Sequence, residues 1–198
     1  VYAVGPTLGG GTAALLDSAG SIVYPYCFAE YEVLDRGPLR FSVRLVYADS
    51  TRESRIITLD RGSYLNRTTV RFDGALPAAP HVAPGIVVHR QNPEGYTLGD
   101  GFMAYADSTD NATAGNGVIF VGVVAPGSES FVYQPLEEPA GDAIGHILAP
   151  ATYEPGTDYT YWWGSAWSKA DMPDAAAWAD HLAAFRARLA SPLTATVN

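Results

Sequence analysis

Apolar and polar residues alternate along much of the chain. Between Leu39 and Tyr47 every second residue is apolar, whereas Arg40, Ser42 and Arg44 occupy positions between them. Because successive side chains of a strand point to opposite faces, this alternation predicts a strand with one buried face. Similar runs predict further strands at residues 22–26, 31–35, 55–60, 65–72, 85–90, 102–106, 118–124, 131–133, 146–148 and 159–163.

Clusters of glycine, proline, asparagine and aspartate separate these runs, as residues 107–117 illustrate. About ten short strands divided by turn residues are typical of an antiparallel sandwich or barrel. A chain of 198 residues is long enough to bury one such core. We therefore predict an all-β fold, an antiparallel β-sandwich, in which residues 1–198 form a single domain.

A helical period replaces the alternation near the C-terminus. Four apolar residues recur there at helical spacing, namely Trp178, Leu182, Phe185 and Leu189. Asp171 can cap such a helix, and Pro192 ends it. The pattern predicts one long helix over residues 171–190, with His181 facing solvent.

Composition and charge exclude several classes of protein. Hydrophobic residues make up 47% and charged residues 17% of the chain, the reverse of the balance found in disordered proteins. No apolar run approaches the ~20 residues that a membrane-spanning helix needs. The formal net charge of −9 would repel a phosphate backbone, so we expect no nucleic-acid partner. Cys27 is the only cysteine, which excludes an internal disulfide.

The first four residues, beginning with Val1, have the composition of a strand. An unpaired strand edge at this position would invite association with another polypeptide. We expect the chain to be the C-terminal part of a longer protein. A missing N-terminal portion or a second chain would then complete the sandwich.

The segment 157–169 combines five aromatic residues with Lys169, the only lysine of the protein. Rings at alternate positions of a strand point to opposite faces, so at least one set of rings is expected at the surface or in a cleft. Such rings stack on the C–H faces of sugars, which makes carbohydrate one candidate ligand. Packing of the C-terminal helix against the sheet is the alternative role. A turn predicted at residues 164–166 would place Trp167 and Lys169 at the rim of the sheet.

Side chains with oxygen donors gather in the loop 107–111, which contains Asp107 and Asp110. Oxygen ligands suit calcium, but the spacing differs from that of an EF-hand loop. An ordinary polar turn explains the same residues. We predict no cofactor beyond this candidate calcium position, and no other metal site.

Several separated blocks of sequence carry a resemblance to a known family. These blocks are residues 5–11, 33–40, 57–63, 85–89 and 161–169, followed by the final helix and residues 191–193. Together they resemble a bacterial family described as a domain of unknown function, often encoded beside pectin- and ulvan-degrading enzymes and unsaturated-uronyl hydrolases. Members of that family carry a further N-terminal portion of comparable size.

The resemblance implies a secreted or periplasmic protein with a β-sandwich similar to the galactose-mutarotase-like supersandwich. It also implies carbohydrate processing, with polysaccharides that contain uronic acid as substrates. It supplies no catalytic residues.

An acidic sugar requires a cation for its carboxylate and a proton-transfer group that titrates near neutrality. His89 and His146, which we place at strand ends, are the candidate catalytic residues, although each also suits a structural role. The candidate substrate-binding residues are Arg40, Tyr161, Trp163, Trp167 and Lys169.

Two classes of function remain open at this point. The first is an enzyme, a lyase, glycosidase or epimerase acting on oligo-uronides. The second is a noncatalytic carbohydrate-binding module or the structural half of a split sandwich domain. An enzyme needs histidine, arginine and carboxylate groups that converge in one pocket, whereas a binding module needs an exposed row of rings.

Overall fold

The protein contains two antiparallel sheets. Its structure, a computed structural model, describes residues 5–108 and 112–194. The first sheet contains β1 (Gly10–Leu16), β2 (Ile22–Val23), β7 (His81–His89), β11 (Val132–Ala140), β12 (Ala143–Leu148) and β13 (Ala151–Thr152). The second contains β3 (Phe28–Arg36), β4 (Arg40–Tyr47), β5 (Glu53–Asp60), β6 (Leu65–Phe72), β8 (Tyr96–Gly99), β9 (Phe102–Ser108), β10 (Val118–Val124) and β14 (Tyr159–Trp167). The predicted all-β antiparallel sandwich is confirmed.

The strands of the second sheet follow the order β3-β4-β5-β6-β14-β10-β9-β8, and those of the first follow β11-β12-β7-β1-β2, with β13 paired to β7. The core between the sheets contains Val70, Val88, Tyr105, Val121 and Ile147, all of which are buried. The alternation of the strands therefore supplies one apolar face to each side of this core.

A single α-helix, α1 (Ala175–Ala190), is present in the part of the chain that the structure describes, and it packs on the outer face of the second sheet. Trp178 is completely buried, and its Nε1 donates a hydrogen bond to the Val121 carbonyl at 3.0 Å. The helix can approach closely because Gly122 has no side chain, and a Cβ there would lie 2.5 Å from Leu182. The predicted helix is confirmed as the element that covers this face.

Two details of the predicted helix are wrong. Its N-cap is Asp174, whose side chain accepts a hydrogen bond from the Ala177 amide at 2.8 Å, and not Asp171. Pro173 disfavours helical backbone at Met172, which a helix capped by Asp171 would require. His181 is half-buried and stacks on the Trp178 ring at 5.5 Å, because residues three apart are neighbours on a helix surface.

Glycine at position 164 continues a strand where the sequence predicts a turn. Strand β14 runs to Trp167, with Gly164 paired to Gly122 on one side and to Leu65 on the other. A Cβ on Gly164 would lie 2.0 Å from the Tyr64 carbonyl oxygen. The glycine therefore permits close approach of the neighbouring strand.

The second sheet extends beyond the first and leaves part of its inner face uncovered. Val70, Arg55, Leu45 and Tyr31 are paired in a row across four strands, so their side chains share one face. Val70 is 0% exposed, whereas Tyr31 at the far end of the row is 69% exposed. We call the uncovered area the open face, and it comprises Phe28, Tyr31, Val33, Phe41 and Leu59, all of which are exposed.

The predicted strand at the first four residues lies outside the described part of the chain. Among the described residues no helix is long and apolar enough to cross a membrane.

Candidate functional site

A cavity of about 290 Å³ lies where the covered part of the inner face meets the open face. Phe28, Tyr47 and Trp163 supply aromatic walls, and Thr68 adds a hydroxyl group. Arg55 also lines the cavity and is the only basic residue among its described lining. We call this space the Arg55 cavity.

The Arg55 guanidinium is held in one orientation by three neighbours. Its Nη2 donates a hydrogen bond to the Ala13 carbonyl at 2.7 Å, and its Nε donates to the Glu53 carboxylate. The guanidinium carbon also lies 5.3 Å from the centre of the Tyr47 ring, within the range of a cation–π contact. A buried arginine held in this way is preorganised for a planar anionic partner.

Glu53 and Arg55 form a buried ion pair beside the cavity. Burial raises the pKa of Glu53, although the charge and hydrogen bond of Arg55 oppose the shift. Burial alone would lower the pKa of Arg55, but Tyr161 and Glu53 outweigh it and the net pKa is raised. Arg55 therefore stays cationic, whereas Glu53 is the partner that can gain a proton.

Trp163 and Tyr161 are neighbours on the sheet and are anchored by different hydrogen bonds. The Trp163 indole Nε1 donates to Thr68 Oγ1 at 2.7 Å, and this ring is half-buried. Tyr161 is 1% exposed, and its hydroxyl accepts a hydrogen bond from the Ala13 amide at 3.2 Å. Both side chains line the Arg55 cavity. The substrate-binding roles predicted for them stay predictions.

The predicted position of His146 at a strand end is wrong. It lies inside β12, which begins at Ala143 because that residue already pairs with β7 and β11. The ring is buried, and its Nε2 accepts a hydrogen bond from the Leu8 amide at 3.2 Å. Burial lowers the pKa of His146 to about 4, so the ring is neutral at physiological pH.

His89 lies at the end of β7, as expected, but it is also buried. Its Nδ1 lies 2.6 Å from Asp107 Oδ2, and its Nε2 lies 3.9 Å from Asp142 Oδ1. His89 therefore links β7 of the first sheet to β9 of the second. Neither His89 nor His146 is among the described residues that line the Arg55 cavity. The catalytic roles proposed for them stay predictions.

The remaining predicted site residues lie elsewhere on the surface. Arg40 is exposed and makes a bidentate contact with Asp60, at 2.6 and 3.1 Å. Trp167 is 42% exposed, and its Nε1 donates to the Asn116 carbonyl at 2.7 Å. Lys169 is exposed. The structure places none of Arg40, Trp167 and Lys169 in the Arg55 cavity, and their roles in substrate binding stay predictions.

The candidate calcium position involves one described residue and one that is not described. Asp107 is buried and uses one carboxylate oxygen to bind His89, whereas Asp110 lies outside the described residues. Within residues 5–108 and 112–194, no three acidic, histidine or cysteine side chains come together in a group that could hold a metal ion.

The motifs of the sequence do not single out Glu53, Arg55 and Tyr47 as site residues. A usable signal is present in β5, where Arg55 is in phase with Ile57 and Leu59 and therefore shares their apolar face. A charged residue at an inward position of a strand needs a partner, which Glu53 supplies two residues earlier.

These features define a two-sheet β-sandwich protein with an aromatic, arginine-containing cavity beside an open sheet face. The chain belongs to the family described as a domain of unknown function, DUF4861, which matches residues 1–195. It is also 24% identical over 207 residues to an uncharacterized protein, P7, from Formosa agariphila. That match covers 100% of this chain and 49% of the relative, so the chain spans about half of the relative's length. The family resemblance inferred from the sequence is thereby confirmed at the level of a domain of unknown function.

Proposed function

We propose that the protein is carbohydrate-active and that the Arg55 cavity binds a uronic-acid residue of an oligo- or polysaccharide. The observation that carries this proposal is a buried, oriented arginine in a cavity with aromatic walls. Arginine binds carboxylates through two parallel hydrogen bonds, and aromatic rings offer a flat apolar surface to the C–H face of a sugar.

Glu53 sets the charge that an acidic ligand meets. While Glu53 is ionised, it neutralises Arg55, and an incoming carboxylate competes with it for the same cation. The raised pKa of Glu53 favours its protonation, which leaves the Arg55 charge for the ligand. Uptake of a proton by Glu53 would therefore accompany the binding of an acidic sugar.

We further propose that the protein acts on this uronic-acid-containing saccharide as a lyase, glycosidase or epimerase. Each of these reactions needs a group that transfers a proton. Glu53 is the group nearest to Arg55 that can exchange one, because its pKa is raised and it is bonded to the cavity's arginine.

The same proposal includes location and genetic context. The protein would have to bind a polysaccharide outside the cytoplasm, so we propose that it is secreted or periplasmic. We also propose that the gene for this protein lies beside genes for enzymes that degrade pectin and ulvan, as the resemblance of the sequence blocks implies.

A second candidate function is that of a structural half of a larger sandwich. Two observations favour it, the apolar residues of the open face and the coverage of only 49% of the relative. A further β layer, from a longer polypeptide or a second chain, would cover the open face and close the Arg55 cavity from outside.

Titration calorimetry with trigalacturonate tests the first proposal. We expect binding by the wild type, and a loss of at least about tenfold in affinity for the double variant Glu53→Gln/Arg55→Met, as removal of a charge-assisted hydrogen bond predicts. The double variant removes both charges, because a single substitution would leave the other charge buried without its partner.

Arg44→Met is the matched control, because Arg44 lies on the opposite face of β4 and pairs with exposed Glu32. Its affinity for trigalacturonate should equal that of the wild type. Absence of binding by the wild type, or equal affinity for the carboxyl-reduced trisaccharide, would contradict the proposal.

A further inference from the structure

Strands β3, β4 and β5 carry their exposed carboxylates on the side away from the open face. Strand pairing places four acidic residues on that outer side, namely Glu30, Glu32, Asp35 and Asp60. The inner side of the same three strands has only three charged side chains, and two of them are the buried pair Glu53 and Arg55. The third is Arg36, so the exposed charge on this side is positive.

Arg36 lies at the edge of the open face. It is the last residue of β3 and pairs with Phe41, which pairs in turn with Leu59, and directly paired residues share a face. Its side chain is exposed and makes no ion pair with another described residue. Arg44, on the outer side, is by contrast paired with Glu32 at 2.5 Å. Arg36 therefore keeps its charge for a ligand.

A second arginine without an ion pair lies at the neighbouring hairpin tip. The tetrapeptide Leu-Asp-Arg-Gly occurs twice in the sequence, at residues 34–37 and 59–62, where β3 and β5 end. The Arg61 amide donates a hydrogen bond to the Leu39 carbonyl at 2.8 Å, which joins the two tips. Arg61 is exposed and lines a depression of about 240 Å³ that also includes Phe41 of the open face.

Asp60 lines the same depression, but its charge is already neutralised. The Arg40 guanidinium contacts this carboxylate through two hydrogen bonds, at 2.6 and 3.1 Å. Arg61 makes no ion pair with another described residue. The excess charge of the depression is therefore the positive charge of Arg61.

The open face connects these two arginines with the Arg55 cavity. Arg55 and Leu59 lie on the same side of β5, and four residues of strand separate them by ~13 Å. Arg36 lies two strands away from β5, which adds ~10 Å across the sheet. Ile57, between Arg55 and Leu59, lines the cavity and is half-buried. A continuous apolar path therefore leads from the cavity to the hairpin tips.

The distribution of charge favours an acidic ligand on this path. Residues 28–73 contain eight of the 12 basic residues but only seven of the 21 acidic ones, so the rest of the chain carries the excess negative charge. An acidic ligand is therefore directed to this part of the protein. A second copy of the chain fits less well, because β3 is interrupted by two bulges and carries acidic side chains, features that prevent edge strands from pairing.

We propose that the open face continues the Arg55 cavity as the binding surface for an acidic glycan chain. Arg36 and Arg61 bind carboxylates beyond the one in the cavity, and the sugar rings between them lie on the apolar residues of the open face. This inference rests on the proposed function, which it extends from one sugar residue to a chain.

Titration calorimetry with digalacturonate and hexagalacturonate tests the inference. Digalacturonate is expected to occupy the cavity alone, whereas hexagalacturonate also reaches the hairpin tips and should bind more tightly. The double variant Arg36→Gln/Arg61→Gln should bind hexagalacturonate at least about fivefold more weakly and digalacturonate as the wild type does. Arg44→Gln/Arg67→Gln is the matched control, because it removes the same charge from the outer side of the sheet and should leave both affinities unchanged.

Four results would overturn the inference. Three come from the titrations: no tighter binding of hexagalacturonate than of digalacturonate, equal losses in the two double variants, or undiminished binding of fully methyl-esterified hexagalacturonate. The fourth is a stable dimer in light scattering that Phe41→Asp dissociates, because a second copy would then cover the open face.

Amide chemical shifts of Gly11 and Thr68, which line the Arg55 cavity, separate this failure from that of the proposed function. If digalacturonate shifts both amides but hexagalacturonate binds no more tightly, the extension along the open face fails alone. If neither ligand shifts them, the proposed function fails and the extension fails with it.

Discussion

Gly11 lies directly against Trp163, and a Cβ on this glycine would be 2.5 Å from the Cβ of the tryptophan. Gly11 has a φ of +138°, a backbone conformation that L side chains rarely adopt. Strand β1 therefore crosses the Trp163 side chain as closely as a backbone can, and this contact fixes one wall of the Arg55 cavity.

Substitution Gly11→Ala should displace Trp163. We expect it to lower the free energy of unfolding by about 2–4 kcal/mol, from the combined cost of overpacking and backbone strain. Urea unfolding and the tryptophan emission maximum would measure this. Gly20→Ala is the control, since Gly20 also has a positive φ, +81°, but a Cβ there meets nothing within 4 Å. Equal destabilisation by both variants would refute the close contact.

Substitution Trp178→Ala should destabilise the protein by roughly 3–5 kcal/mol, because the side chain is completely buried between α1 and the second sheet. Thermal unfolding would show the loss as a lower Tm. Trp167→Ala provides the comparison, since that ring is 42% exposed and its removal should change Tm little. An unchanged Tm for Trp178→Ala would show that the helix is not anchored by this residue.

Acid should weaken the fold through His146. Burial lowers the pKa of His146 to about 4, below the ~6.5 of an unfolded chain. Above pH 6.5 the ring is neutral in both states, but below it the unfolded state takes up the proton first, so stability falls as the pH drops towards 4. The contribution is at most about 3 kcal/mol.

His146→Gln keeps an acceptor for the Leu8 amide and removes the titration. Unfolding free energies measured between pH 7 and 4 should therefore fall less steeply in this variant than in the wild type. Parallel pH profiles would exclude His146 as the cause.

The open face should bind apolar probes. Phe41→Asp is expected to reduce the fluorescence of bound ANS without lowering Tm, because the Phe41 side chain is 43% exposed and lies outside the core. Val46→Asp changes a residue of the same strand, 37% exposed, on the opposite face. Equal loss of ANS fluorescence in both variants would argue against a distinct apolar face.

The sequence predicts the elements whose pattern is strong and local. Strands β6 and β10 have the bounds expected from their apolar runs, and Trp178 is buried as its helical spacing indicates. Strands β8 and β13, of four and two residues, are too short to show a period and were not predicted.

The site was harder to predict because it depends on contacts between distant segments. The carbonyl of Ala13 binds Arg55 across 42 positions of sequence, and its amide binds the Tyr161 hydroxyl across 148. Likewise, nothing local distinguishes Gly164, which admits a neighbouring strand, from a glycine that makes a turn. The sequence does single out Tyr161 and Trp163, which line the cavity, as part of an aromatic segment, and it also shows the phase of Arg55 with the apolar residues of β5.

The unequal width of the sheets implies a gradient of local opening across the protein. Strand β14 is covered on both faces, with Tyr161 in the core between the sheets and Trp162 packed in the cluster beneath α1, whereas every residue of β3 is exposed. Separating β3 and β4 from the sheet would uncover little of the core, so it should require much less free energy than global unfolding. Amide hydrogens should therefore exchange fastest in β3 and progressively more slowly through β4, β5 and β6 to β14. A protein built in this way loses its outer strands while the rest of the sandwich stays folded.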